Sequence, residues 1–178
     1  MNAKNIFIIL LILVGGILAY RMFFSNPEMR VGIKAPVVED ILITGEEFNS
    51  KDLTGSYVLI DFWGSWCGPC IKEIPKLKSL YETYNTANFT DGNKFEIVSI
   101  ALEKSDKFTK QIIEKREMNW PFHIIDISQF VLLSEHAQRY GVTELPASFL
   151  LNPEGEVMAI NEPLEQIDEI LSSRRSSF

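Results

Sequence analysis

Apolar and polar positions change period several times along the chain, and each change marks an element. Residues 57–63, Tyr-Val-Leu-Ile-Asp-Phe-Trp, make a nearly continuous apolar run rich in β-formers and bounded by Gly55 and Gly64. A short run of this kind predicts a strand buried on both faces, as in a parallel sheet. Over residues 71–81 the apolar positions adopt helical spacing. Residues 95–100 return to a strand pattern, 106–118 predict a helix and 121–126 a further strand opened by Trp120-Pro121. Residues 132–140 predict a helix ended by Gly141. Residues 149–151 and 156–160 form a hairpin through Asn152-Pro153-Glu154-Gly155, with proline at the second turn position. An amphipathic helix over 163–172 follows, and residues 41–48 predict an earlier hairpin through Gly45. Alternating strands and helices with a closing hairpin predict an α/β class, a central mixed sheet with helices on both faces.

The N-terminal 24 residues have a different pattern. Residues 6–20 are uncharged and apolar, preceded by Lys4 and followed by Arg21 and Met22-Phe23-Phe24. The run is somewhat short for the ~20 residues of a membrane span. Snorkelling of Arg21 and interfacial placement of the aromatics extend it. Residues 1–24 are expected to form an uncleaved signal anchor, 25–35 a linker and 36–178 one folded domain. The alternative is a cleaved signal peptide that releases the domain, although Ile17-Leu18-Ala19 is a poor cleavage sequence.

Charge and cysteine content narrow the chemistry. A net charge of −7, with no basic patch interleaved with aromatics, argues against nucleic-acid binding. The domain has enough residues to bury a core without disulfide staples. The two cysteines, Cys67 and Cys70, form the sequence Trp66-Cys67-Gly68-Pro69-Cys70 between the buried strand and the helix. A pair at this spacing either cycles between dithiol and disulfide or holds a metal. A structural zinc site wants a second close pair, and His123 and His136 are too far apart in sequence to supply one. They are expected to be ordinary surface or edge histidines. Redox use places Cys67 at a helix N-terminus, where free N–H groups and the helix dipole favour thiolate. Cys67 is then the attacking thiol, and Cys70, one turn further in and less exposed, the resolving one.

Residues 61–70, from Asp61 to Cys70, resemble the active-site segment of the thioredoxin superfamily, and Pro75 matches the proline inside its active-site helix. Tyr140-Gly141-Val142-Thr143-Glu144-Leu145-Pro146-Ala147 resembles the segment whose proline is cis and faces the cysteines. The resemblance implies a cis Pro146, with Leu145 offering its backbone to a bound substrate strand, and Trp66, Gly68 and Pro69 belonging to the docking surface. Val31-Gly32-Ile33-Lys34-Ala35-Pro36, Asp52-Leu53-Thr54-Gly55 and Glu73 are similar to the TlpA/ResA-like membrane-anchored branch. That branch implies an N-terminal β extension and a central helix-strand insertion in a thioredoxin-like fold. It also implies a catalytic domain on the periplasmic, extracytoplasmic side of the cytoplasmic membrane. Gly64 and Ile60 stand where a peroxiredoxin would have its threonine and proline, so peroxidase chemistry is not expected.

One departure from many TlpA/ResA-like proteins is Asp61, an acid inside a buried strand. With Glu73 it places two carboxylates near one pair of sulfurs, each raising the other's proton affinity, and either can take the proton from Cys70. The reading is a thiol:disulfide oxidoreductase with no bound cofactor. Gly68-Pro69 equals the pair in thioredoxin, a reductant near about −270 mV against about −120 mV for DsbA. A reductase is therefore expected, with an oxidase, an isomerase or a copper-delivery module as alternatives. The resemblance implies a disulfide-bearing protein substrate, apocytochrome c among them, and a membrane thiol donor of the DsbD/CcdA type. The Arg174-Arg175 pair reads as a solvated tail.

Overall fold

The structure, a computed structural model, describes residues 3–24 and 29–176, without the side chains of residues 3, 19 and 21–24. The expectations placed on the side chains of Arg21 and residues 22–24, and on residues 25–28 of the linker, fall outside what is described. Helix α1 (Ala3–Phe24) exposes every described apolar side chain from Ile6 to Leu18. Those thirteen residues extend about 20 Å at the helical rise, against ~30 Å of hydrocarbon. Among the described residues, no helix is long and apolar enough to cross a membrane.

Among the described residues, five strands form the central sheet: β3 (Tyr57–Trp63), β4 (Phe95–Glu103), β5 (Phe122–Ile127), β6 (Ala147–Leu151) and β7 (Val157–Ile160). Their spatial order is β5-β4-β3-β6-β7. The first three are parallel, and β6 and β7 are antiparallel. The expected mixed α/β sheet is present. β1 (Glu39–Ile41) and β2 (Glu47–Asn49) form the hairpin read from Gly45. Gly32, Lys34 and Ala35, within the segment expected as linker, pair with residues 155–157 at the sheet edge.

β3 is buried along its whole length because both faces are covered. Tyr57, Leu59 and Trp63 face α2 (Gly68–Tyr84) and α5 (Leu164–Arg174), while Val58, Ile60 and Phe62 face Val38, Leu42 and α4 (Glu135–Tyr140). Asp61 therefore falls on the α2 face. The insertion is α3 (Thr109–Lys115) and β5, with the helix shorter than the 106–118 pattern predicts.

Three other expectations need correction. The helix expected over 132–140 is broken into a 3-10 turn (Val131–Leu133) and α4. Ser134 caps α4, its hydroxyl accepting from Ala137 N–H at 3.0 Å. Neither His123 nor His136 is at the surface: His123 lies on the edge strand β5, as one alternative had it, but is buried there, and His136 is buried in α4. His123 Nε2 lies 3.0 Å from the Met118 carbonyl and His136 Nε2 2.8 Å from Asp40 Oδ2. Each ring thus has a polar partner that a solvated histidine would find in water. The Arg174-Arg175 pair is exposed, as expected, but it is held to the fold rather than free. Arg174 pairs with Asp91 at 3.0 Å, and Arg175 bridges the chain at Phe89.

Candidate functional site

Cys67 is the N-cap of α2. Its backbone is extended, and its sulfur accepts from Cys70 N–H at 3.2 Å. Pro69 occupies the first turn, where a missing N–H costs no helical bond. The sulfurs are joined in a disulfide of 2.01 Å. Cys67 and Cys70 are 5% and 3% exposed, so the expected difference in exposure is slight. Trp66, Gly68 and Pro69 are exposed around them. The Leu145–Pro146 bond is cis, as the resemblance implies. Pro75 lies inside α2.

The turn before Cys67 is held by the end of β4. The Trp66 indole donates to the Leu102 carbonyl at 2.9 Å, and Glu103 accepts from both the backbone and the hydroxyl of Ser65. Gly64 is required by this packing. A Cβ there would stand 2.9 Å from Trp66 Nε1 and 3.1 Å from the Leu102 carbonyl oxygen. Sequence reading missed Ser65 and Glu103, because Glu103 begins a polar stretch that looks like an ordinary turn.

Asp61 and Glu73 are brought to one cavity of about 320 Å³, which Lys76, Pro146, Ser148 and Glu165 also line. Asp61 is buried in mid-sheet, with Ser99 and Ser148 beside it on β4 and β6. Burial, then the nearby charge of Glu73, raises its carboxyl from 3.8 to about 7. The Ser99 hydroxyl, 3.4 Å away and itself accepting from Trp120 Nε1 at 2.9 Å, opposes the rise weakly. Glu73 is half-buried and also raised by burial; Lys76 opposes the rise and Glu165 adds to it. Lys76 and Glu165 form an ion pair of 2.6 Å where they line the cavity. The cysteine pair and Asp61, a carboxyl raised by burial to about 7, thus share the α2 face of β3.

A model of a thioredoxin-like family matches residues 55–157, more than half of the chain. The thiol-disulfide oxidoreductase ResA of Bacillus cereus is 33% identical over 172 residues, 92% of this chain and 91% of that protein. The chain belongs to the thioredoxin-like thiol-disulfide oxidoreductases. A solved thiol-disulfide oxidoreductase from Bacteroides fragilis is similar at 26% identity and a TM-score of 0.68, over 79% of this chain and 98% of that one. The thioredoxin domain of a Bacteroides vulgatus thiol-disulfide oxidoreductase shares the fold, at 24% identity and a TM-score of 0.69. It covers 82% of this chain and 98% of that one. The family match spans the disulfide, Asp61, Glu73, Glu103 and the cis proline.

Proposed function

We propose that this thioredoxin-like oxidoreductase reduces disulfides in partner polypeptides outside the cytoplasm. The observation that carries the reading is the Cys67–Cys70 pair at the α2 N-terminus, on the face of β3 where Asp61 is raised to about 7. In the reduced enzyme, Cys67 thiolate attacks one sulfur of the substrate disulfide, and the other leaves as a thiolate. Cys70, after losing its proton, attacks the mixed disulfide at Cys67. This restores the enzyme disulfide and releases the second substrate thiol. Asp61, with Glu73 beside it, accepts the proton from Cys70. Trp66, Gly68, Pro69 and the Leu145-Pro146 backbone receive the substrate chain.

Reduction as the direction rests on Gly68-Pro69 and on the ResA resemblance, which also favours apocytochrome c as substrate and a DsbD/CcdA-type donor. The α1 segment anchors the domain to the cytoplasmic membrane. The exposed apolar run from Ile6 to Leu18 supports that reading. The test is a redox titration of the full chain in mild detergent against glutathione. A midpoint near or below about −230 mV supports the reductase, and one near the roughly −120 mV of DsbA assigns an oxidase or isomerase. Cys70→Ala then traps the substrate as a mixed disulfide on Cys67, and carbonate extraction of membranes tests the anchor.

A further inference from the structure

The exchange reaction described above leaves one buried carboxylate at the site unused. Glu103, the last residue of β4, is 4% exposed. Its Oε1 accepts from Ser65 N–H at 2.5 Å and its Oε2 from the Ser65 hydroxyl at 2.9 Å. With the Trp66 indole bond to Leu102, three hydrogen bonds tie residues 65 and 66 to the end of β4. The tie ends one residue before Cys67.

From this geometry we infer that Glu103 is a positioning residue whose charge also disfavours the Cys67 thiolate and makes the pair a stronger reductant. The inference rests on the thiol-exchange reading. A negative charge held two residues from Cys67 opposes a second negative charge on its sulfur, against the pull of the helix N-terminus. The disulfide carries no charge and escapes this penalty, so the oxidised form is favoured and electrons are given up more readily. Three carboxylates are carried by the elements that build the site: Asp61 on β3, Glu73 on α2 and Glu103 on β4. Asp61 and Glu73 line the cavity by Pro146, whereas Glu103 is hydrogen-bonded to the segment that carries Cys67. Lys104, next to Glu103 in the chain, is exposed, and its opposing charge is weakened by solvent. A carboxylate needed only as a latch could be replaced by an amide, which still accepts from Ser65 N–H and can donate to its hydroxyl.

Glu103→Gln and Ser65→Ala, made in the full chain, separate latch from charge. The reduced proteins in mild detergent are alkylated with iodoacetamide across pH, and the label on Cys67 is read by mass spectrometry. Glu103→Gln is expected to raise the thiolate of Cys67 about three- to tenfold at a fixed pH below its titration. The glutathione equilibrium then moves toward the dithiol. Ser65→Ala removes one donor that offsets the carboxylate, so Cys67 alkylation is expected to slow. A purely structural latch, which the amide keeps, would leave Glu103→Gln at the wild-type profile whatever Ser65→Ala does, and faster alkylation in Ser65→Ala overturns the charge role if Glu103→Gln does not fold. A wild-type profile in Glu103→Gln, or shifts of the same sign in both variants, overturns the role of Glu103 while thiol exchange stands. A wild-type chain with no reversible disulfide overturns both.

Discussion

Replacing Asp61 by asparagine measures what it costs to keep an acid inside β3. The carboxyl is 5% exposed and raised from 3.8 to about 7, mainly by burial and secondarily by Glu73. In the unfolded chain it titrates near its ordinary value of about 3.9. Between those two values the folded protein holds a proton that the unfolded chain has released, so stability falls as pH rises. The span from 3.8 to about 7, at about 1.4 kcal/mol per pH unit, amounts to about 4 kcal/mol lost by slightly alkaline pH. Asparagine has nearly the same shape, can accept from Ser99 and never ionises. The two proteins should therefore be equally stable near about pH 4, and the variant more stable by up to about 4 kcal/mol near about pH 8.

Urea unfolding of the oxidised full chain in mild detergent, followed by tryptophan fluorescence at several pH values, reads this gap directly. A gap that stays constant with pH, or narrows as pH rises, would refute the argument, because the cost would not come from ionisation of Asp61. The stabilised variant should also be a poorer enzyme. Without the acceptor for the Cys70 proton, release of the mixed disulfide is expected to slow on the order of 10²-fold. That loss should be smallest at high pH, where hydroxide deprotonates Cys70 unaided.

Three further outcomes are expected. His123 is held near about 4 by burial, below its ordinary 6.5, so stability should be lost as pH falls from about 6.5 to about 4. His123→Phe, beside the Trp120 ring, should flatten that acid limb in the same unfolding assay. Gly64→Ala places a Cβ 2.9 Å from Trp66 Nε1. It should displace the indole, alter tryptophan emission and lower kcat/KM for a protein disulfide, with insulin as the probe, by about tenfold. Lys76→Met removes the cation that offsets the raised proton affinity of Glu73. The pH dependence of mixed-disulfide release should then move to higher pH, and an unchanged profile would exclude Glu73 from the proton step.

Residues whose local pattern matched their final environment were legible in the sequence. β3 could be read because both its faces are buried, which removes polar residues from the run and makes Asp61 conspicuous within it. The cysteine pair could be placed because a strand pattern changes to a helical one at Trp66-Cys67, and that junction fixes an N-cap. The hairpin of β6 and β7 followed from its turn residues. What the sequence hid depends on partners far away along the chain. His136 is buried because Asp40, 96 positions away, meets its ring. Arg174 stays exposed but is tied to Asp91, 83 positions away. Glu103 was hidden for a further reason. It stands in a polar string with Lys104, Ser105 and Asp106, and only the parallel pairing of β3 with β4 brings the end of that strand under Ser65. Local periodicity reports which face of an element is covered, whereas the partner of a buried charge is set by strand order and register. Asp61 and Glu73 could therefore be read from the segments that carry the thiols, whereas Glu103 becomes visible only once the sheet is assembled.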